Sequence, residues 1–326
     1  MRAMPVASTS LRARLGWLAG IAIAWCALVS APASADVPAA SPAARGLQAS
    51  DFPRVVALGP GVYGYEDLRE PGLTTVSMFV VGLDGVLLAD GQGSPAATQR
   101  LMAAIASVTT KPLRWYVVGS DHADHTGGNS VLPPGVEFIV HATSRRQLAA
   151  DAERREPSAP PIVVPTAAMA KDQTVIDIGG RRVHVLFLGR AHTGGDLLVH
   201  LPAERILFMS EVFLNSVFPP MRSAYPSEWL GVIDRALRLP VDHFVPGHGF
   251  IDSQTASRRQ LREFRGALAA VIAEARRLRS LGLTIEQAME QARWGPYGSW
   301  MLADTQRIVA LRRVFTELPE SVAGRR

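Results

Sequence analysis

The chain has 326 residues, 48% of them hydrophobic, and a formal net charge of +5. Three arginines and no acidic residue fall within residues 1–35, so the remainder carries 31 basic against 29 acidic residues and a net charge of +2. That near balance argues against a nucleic-acid-binding protein, which needs a strongly basic surface. The remaining chain, about 290 residues, is long enough for one large domain or two small ones.

The N-terminus has the pattern of a secretory signal peptide. A basic stretch precedes an apolar run at residues 15–29, and Ala-Ser-Ala at residues 33–35 is a small-residue cleavage site. The run is short for a transmembrane anchor, which is the alternative. We therefore expect cleavage after Ala35 and a periplasmic or secreted protein with no membrane segment. The single cysteine, Cys26, lies in this segment, so the mature chain has no thiol for a disulfide, a metal ligand or a nucleophile.

Residues 36–50 are rich in alanine, proline and serine and predict a flexible lead-in. Beyond them, apolar β-branched runs predict strands and amphipathic patterns predict helices. The predicted strands are Val55–Leu58, Thr74–Val81, Val86–Ala89, Leu113–Val118, Val136–Val140, Val183–Leu188, Asp196–Leu201 and Ile206–Met209. The predicted helices are Pro95–Ser107, Thr143–Glu153 and Ser227–Leu237, the last with Ser227 as its N-cap. This alternation predicts α/β layers in which helices cover the outer faces of the sheets.

The C-terminal part of the chain has a purely helical pattern. An apolar stripe from Leu261 to Leu278 predicts a docked helix whose arginines face solvent, with a DNA- or membrane-binding helix as the alternative. Thr284 with Gln287 predicts a capping box that opens another helix, and a last helix is predicted at Asp304–Leu318. The expected division is a signal peptide at 1–35, a lead-in at 36–50, a domain at 51–255 and a helical extension at 256–326 packed on it.

Histidines and acidic residues cluster after the predicted strands. One stretch reads Ser120-Asp121-His122-Ala123-Asp124-His125, and His192, Glu211 and His248 each follow a later apolar run. Imidazole nitrogens and carboxylate oxygens suit zinc and similar cations. Because the ends of neighbouring strands lie along one edge of a sheet, we expect these side chains to meet there. The other four histidines are predicted to be structural or on the surface: His141, His184, His200 and His243.

This arrangement resembles the metallo-β-lactamase superfamily, whose motif His-x-His-x-Asp-His is followed by a lone histidine, an acid and another histidine. The resemblance covers about residues 52–255 and implies the metallo-β-lactamase fold, a four-layer αββα sandwich with metals in a shallow groove at one edge. It implies a first metal at position 120, His122 and His192, a second at Asp124, His125 and His248, and Glu211 as the acid that bridges or caps the pair. The C-terminal helical extension resembles that of periplasmic members.

Two residues depart from the family's pattern. Ser120 stands where the motif has its first histidine, and a neutral hydroxyl is a poor zinc ligand. Glu211 replaces the usual aspartate and reaches one methylene further. Asp121 is expected to point away from the site if its segment is extended. The second site keeps two imidazoles and a carboxylate, with Glu211 as a fourth donor, so we predict one tightly bound zinc there and a second zinc in the first site only at high metal.

The resemblance implies zinc-dependent hydrolysis of an ester, thioester, lactone or amide in a small-molecule substrate. Zinc lowers the pKa of bound water toward about 7, and the resulting hydroxide attacks the carbonyl. We expect Asp124 to orient that water or accept its proton, and His192 to be a ligand or to donate to the oxyanion. Arg190 and Arg222 are candidates for binding a substrate carboxylate. Two alternatives stay open: a degenerate member that binds metal or ligand without turnover, and a redox enzyme with iron in place of zinc.

Overall fold

A computed structural model describes residues 39–69 and 72–317, so the predicted signal peptide lies outside the described residues. Over these ranges the chain forms two β-sheets and seven α-helices. The strands are β1 (Arg54–Gly59), β2 (Val62–Arg69), β3 (Leu73–Val81), β4 (Val86–Ala89), β5 (Leu113–Val117), β6 (Glu137–Ile139), β7 (Gln173–Asp177), β8 (Arg182–Leu186), β9 (Leu198–Leu201), β10 (Ile206–Phe208) and β11 (His243–Val245). The helices are α1 (Pro95–Val108), α2 (Ala123–Thr126), α3 (Ala142–Arg154), α4 (Pro226–Leu237), α5 (Gln254–Ser280), α6 (Ile285–Gln291) and α7 (Ala303–Glu317).

The two sheets combine antiparallel and parallel pairing. The first sheet has the strand order β1-β2-β3-β4-β5-β6, and the second has the order β11-β10-β9-β8-β7. Strands β4, β5 and β6 run parallel, as do β10 and β11, whereas the other neighbours are antiparallel. Within each parallel set the carboxyl ends therefore lie on the same edge of the sheet, where the following loops can meet.

Three apolar clusters stack the molecule into layers. The inner cluster joins the two sheets through residues such as Leu87 and Val117 of the first and Val199 and Phe208 of the second. A second cluster packs α1 and α3 onto the outer face of the first sheet. A third packs α4, α5, α6 and α7 onto the outer face of the second sheet. The molecule is thus a four-layer αββα sandwich, which confirms the predicted fold class.

The helix termini follow the local sequence chemistry. Ser94 caps α1 by accepting a hydrogen bond from the backbone N–H of Ala97, and Pro95 occupies the first turn. The predicted capping box of Thr284 and Gln287 is confirmed at the start of α6. The predicted cap of α4 is wrong: Tyr225 is the N-cap and Ser227 lies inside the first turn, because a proline at position 226 fits the first helical position. None of the helices described is both long and apolar enough to cross a bilayer.

Candidate metal centre

The six residues predicted as metal ligands follow the ends of four strands. His122, Asp124 and His125 lie on the turn after β5 and on the short helix α2. His192 follows β8, Glu211 follows β10, and His248 follows β11. The structure brings all six to one edge of the sandwich, in two groups that share Glu211. Their role as metal ligands stays a prediction.

The larger group contains Asp124, His125, Glu211 and His248. His248 Nε2 lies 3.1 Å from His125 Nε2 and 3.1 Å from Asp124 Oδ2. The Oε1 atom of Glu211 lies 3.3 Å from His248 Nε2 and 3.9 Å from His125 Nε2. Two imidazoles and two carboxylates therefore point their free atoms at a common point.

The smaller group contains His122, His192 and Glu211. His122 Nδ1 lies 3.1 Å from His192 Nε2, and the two rings meet edge to face. Glu211 approaches both imidazoles, with Oε2 at 2.9 Å from His122 Nδ1 and Oε1 at 3.2 Å from His192 Nε2. This group has three donors where the larger group has four.

The donor set fits a bound zinc ion. Within each group the candidate ligand atoms all lie within 4.8 Å of one another. Zinc–nitrogen bonds of about 2.0–2.1 Å in a tetrahedral arrangement separate neighbouring ligand atoms by about 3.3 Å. The observed contacts of 3.1–3.3 Å around His248 match that separation, whereas those from His125 Nε2 to the two carboxylates are longer, at 3.9 and 4.0 Å. The mixture of imidazole and carboxylate donors also suits zinc.

The ring nitrogens that point away from the site have more contacts in the larger group than in the smaller group. His248 Nδ1 donates a hydrogen bond of 2.8 Å to the carbonyl oxygen of Thr74, which leaves Nε2 free to bind a cation. His125 Nδ1 lies 3.0 Å from Asp90 Oδ2, a contact between charges outside hydrogen-bond alignment. By contrast, His122 Nε2 and His192 Nδ1 are buried without a hydrogen-bond partner among the described residues. The larger group is therefore the better organised one.

The carboxylates of the site favour positive charge on its histidines. Burial disfavours the protonated form of His122, but the Glu211 carboxylate outweighs burial and raises the pKa to about 9. Burial also opposes protonation of His125, and the carboxylates of Asp90 and Asp124 outweigh it and raise the pKa to about 10. Burial alone would raise the pKa of Asp124 and Glu211, yet the surrounding histidines lower both below their usual values. The site thus keeps its own carboxylates ionised and attracts cations.

Asp90 is a buried residue beside the candidate site that sequence reasoning missed. It is fully buried at the end of β4, in the left-handed region with φ 58°. Its Oδ1 accepts a hydrogen bond from the backbone N–H of Gly119 at 2.7 Å, and its Oδ2 accepts one from Ser210 Oγ at 2.5 Å. Asp90 therefore ties together the loops that carry His125 and Glu211. Its sequence signal was available: an acidic residue directly after an apolar strand, as at the predicted sites.

The two unusual positions, Ser120 and Glu211, touch each other. Ser120 is fully buried, and its Oγ donates a hydrogen bond of 2.6 Å to Glu211 Oε2. Asp121 belongs to neither donor group and lines a separate cavity of about 640 Å³ beside Thr193, as expected for a side chain that points away.

A groove of about 550 Å³ opens over both donor groups. Its walls include Arg222, Leu214 and, from the C-terminal helical region, Gln306 and Val309 of α7. Another residue that the sequence reasoning missed is Arg69, which lines the groove and pairs with Asp124 Oδ2 at 2.8 Å.

The two arginines considered for substrate binding have different surroundings. Arg190 is paired with Glu228 on the surface and stacks on the ring of Tyr225, with 4.2 Å between Cζ and the ring centroid. Arg222 is exposed and lines both cavities beside the donor groups. Over residues 39–69 and 72–317, no carboxylate lies within ion-pair distance of Arg222, so it alone of the two is free to bind an anion.

Comparisons with known proteins found a curated relative of the chain but no matching family model. No family model matches the chain. The chain is 25% identical over 212 residues to the alpha subunit of 2,4-dinitroanisole O-demethylase from Nocardioides sp. (strain JS1661), a match that covers 60% of this chain and 62% of that subunit. The chain thus spans under two thirds of this relative's length.

Solved structures match the fold over a larger part of the chain. A metallo-β-lactamase from Pontibacter korlensis superposes with a TM-score of 0.58 and 22% identity, covering 66% of this chain and 99% of that one. The inverting sec-alkylsulfatase Pisa1 from Pseudomonas sp. superposes with a TM-score of 0.63 and 17% identity, covering 83% of this chain and 51% of that one. Together with the αββα layers and the motif at one sheet edge, these likenesses show that the chain has the fold of the metallo-β-lactamase superfamily.

Proposed function

We propose that the protein is a zinc-dependent hydrolase that cleaves an ester, thioester, lactone or amide in a small-molecule substrate, with one tightly held zinc. The observation that carries the proposal is the convergence of four imidazoles and two carboxylates beneath an open groove. The zinc would be held by Asp124, His125, Glu211 and His248, since this group has four donors and His248 is oriented by its hydrogen bond to the Thr74 carbonyl.

The residues of the chain have distinct tasks in this proposal. A zinc ion bound there would supply a Lewis acid that polarises a carbonyl and lowers the pKa of water. Asp124, whose pKa is lowered, stays ionised and orients the attacking water from the wall of the groove. His192 lines the same groove and donates to the oxygen that becomes negative. Arg69 holds Asp124 in place from the groove wall.

The groove favours an amphiphilic substrate that carries a negative charge. Leu73, Leu214 and Val309 provide apolar contact on its walls, and Arg222 provides a cation that no neighbouring carboxylate within the described ranges neutralises. A carboxylate or sulfate on the substrate would pair with Arg222 while the scissile group lies over the histidines. The names of the similar proteins add sulfate esters and aryl methyl ethers to the classes worth testing.

The decisive experiment counts metals and turnover on the same preparation. The protein is purified without added zinc, its metals are counted by mass spectrometry, and carboxylic esters, thioesters, lactones, alkyl sulfates and aryl methyl ethers are offered as substrates. We expect about one zinc per chain and turnover that a chelator abolishes and zinc restores. His248→Gln should lose the metal and the turnover, whereas His243→Gln, another buried histidine that lies outside both groups, should keep them.

A second candidate is a member of the fold that binds metal without turnover. The three-donor group and the serine at position 120 favour it, since a dinuclear site is incomplete. Bound zinc with no hydrolysis of any substrate in the panel would select this candidate. Bound iron with redox activity would select the oxidoreductase alternative, and the absence of any bound metal would refute all three.

We also propose that the mature protein is periplasmic or secreted, because the N-terminal segment has the composition of a cleaved signal peptide. Sequencing the N-terminus of the protein recovered from the periplasm or the medium tests this. A mature chain that begins at Asp36 is the expected result, and an uncleaved chain in the cytoplasm would refute it.

A further inference from the structure

Ser120 has a defined hydrogen-bonding task. Its side chain is fully buried after β5, and its hydroxyl donates to Glu211 Oε2 at 2.6 Å. The Ser120 hydroxyl oxygen in turn accepts a hydrogen bond of 3.3 Å from the backbone N–H of His122. A hydroxyl has one proton to donate, and here that proton is committed to a buried carboxylate, where charge-assisted hydrogen bonds are short and strong.

The carboxylate that Ser120 holds spans both donor groups. Glu211 Oε2 faces His122 at 2.9 Å, on the side of the serine. Its other oxygen, Oε1, faces His192 at 3.2 Å and His248 at 3.3 Å. One oxygen thus lies inside the smaller group and the other lies between the two groups. A rotation of this carboxylate would remove a donor from each of them.

The sizes of the two side chains depend on each other. With Glu211 Oε2 only 2.6 Å from Ser120 Oγ, an imidazole at position 120 would overlap this carboxylate oxygen. An aspartate at position 211 would end about 1.5 Å earlier, the length of one carbon–carbon bond, and would lose the contact with the serine hydroxyl. The hydrogen bond between the two positions therefore depends on a short residue at position 120 and a long acid at position 211.

We propose that Ser120 is a positioning residue, and that the serine in place of histidine is coupled to the glutamate in place of aspartate at position 211. The serine hydroxyl fixes the longer carboxylate, so that Glu211 Oε2 supplies the smaller group with the donor that position 120 does not. This inference rests on the proposed metal centre and deepens it. The pair makes the smaller group a weak second cation site with three donors. The carboxylate position on which the larger group relies also depends on the serine.

A double-mutant cycle tests the coupling. Ser120→Ala should weaken zinc binding at least tenfold in competition titrations with a chromophoric chelator, and it should change the visible spectrum of the cobalt-substituted protein, which reports ligand geometry. Ser120→His and Glu211→Asp should each weaken binding, because each breaks the size match. The combination of these two substitutions should bind zinc within threefold of the wild type or better, with metal content rising toward two per chain.

Ser257→Ala is the matched control, since Ser257 is also buried and hydrogen-bonded but belongs to neither donor group. It should leave the zinc affinity and the cobalt spectrum unchanged. Wild-type affinity and spectrum in Ser120→Ala would overturn the inference and leave the metal centre standing, as would strictly additive losses in the double variant. Ser120→Ala removes a single oxygen atom and decides the question alone if a larger replacement does not fold. No metal uptake by the wild type would refute the proposed function and this inference together.

Discussion

The substitution Asp90→Asn probes how the protein supports its candidate metal centre. In the wild type, Oδ1 accepts from Gly119 N at 2.7 Å, and Oδ2 faces Ser210 Oγ at 2.5 Å and His125 Nδ1 at 3.0 Å. Asparagine can keep the bond to Gly119, and the serine hydroxyl can turn to accept from the new amide. The contact with His125 cannot survive, because an amide NH2 group would face the imidazole N–H.

The size of the effect follows from these contacts. Losing one buried charged contact should lower the free energy of unfolding by about 2 kcal/mol. Removing the carboxylate behind a metal-binding imidazole typically weakens metal binding about 10–100-fold, and the fully buried position of Asp90 favours the upper part of that range. Urea denaturation of the metal-free protein measures the first quantity, and competition with a chromophoric zinc chelator measures the second.

Glu66→Gln provides the comparison. Glu66 is also fully buried, and it accepts hydrogen bonds from Arg54 and from the backbone N–H of Ile251, but it is not part of either donor group. It should lose a similar amount of stability while its zinc affinity changes by less than about threefold. Equal losses of zinc affinity in both variants, or wild-type affinity in Asp90→Asn, would refute the reasoning that Asp90 acts on the metal through His125.

Three further predictions concern other parts of the molecule. Arg222→Ala should raise KM for anionic substrates about tenfold and leave neutral ones unchanged, while Arg190→Ala should change neither; equal effects of both in steady-state kinetics would contradict the groove assignment. Burial lowers the pKa of His200 to about 4, with a smaller contribution from the nearby His184, whereas the unfolded chain titrates near about 6.5. The free energy of unfolding should therefore fall as the pH drops through that interval. In urea denaturation at pH 7 and 4.5, His200→Gln should lose on the order of 2 kcal/mol less than the wild type between the two pH values. The same loss in both proteins would contradict this. Phe264→Ala, in the fully buried stripe of α5, should lower the free energy of unfolding by about 3–5 kcal/mol, and a loss below about 1 kcal/mol would mean that α5 is not part of the core.

The sequence was sufficient to predict features that depend on local pattern. Apolar runs such as those of β3 and β4 fall within one residue of their observed bounds, because strands buried on both faces have continuous hydrophobic sequences. The predicted site gathers for a similar reason: each candidate ligand lies on the segment that follows a strand, and these strands end at one edge of the sandwich. The helices α1, α3 and α4 agree within a residue or two at their ends.

Features that depend on distant partners were not predictable from the sequence. Strand β2 was missed because its Glu66 and Asp67 look exposed in sequence, whereas in the structure both are buried and paired with Arg54 and Arg100. Strand β7 was missed because its side chains alternate between exposed and half-buried positions and form no apolar run. The sequence likewise gave no sign that Ser120 and Glu211 are in contact, since 91 positions separate them.

The charges of the site connect its two departures from the family's pattern. Asp124 and Glu211 both have lowered pKa values, while His122 and His125 have pKa values raised to about 9 and about 10, so at neutral pH the metal-free site holds protons on these two imidazoles. A divalent cation would replace those protons, because each ligating nitrogen must be deprotonated to bind it. An extra histidine at position 120 would add a further proton acceptor, whereas a serine that donates to Glu211 adds none. The exchange of histidine for serine therefore keeps the anionic character of the site, which favours cation binding, while the number of donors distinguishes the four-donor group from the three-donor group.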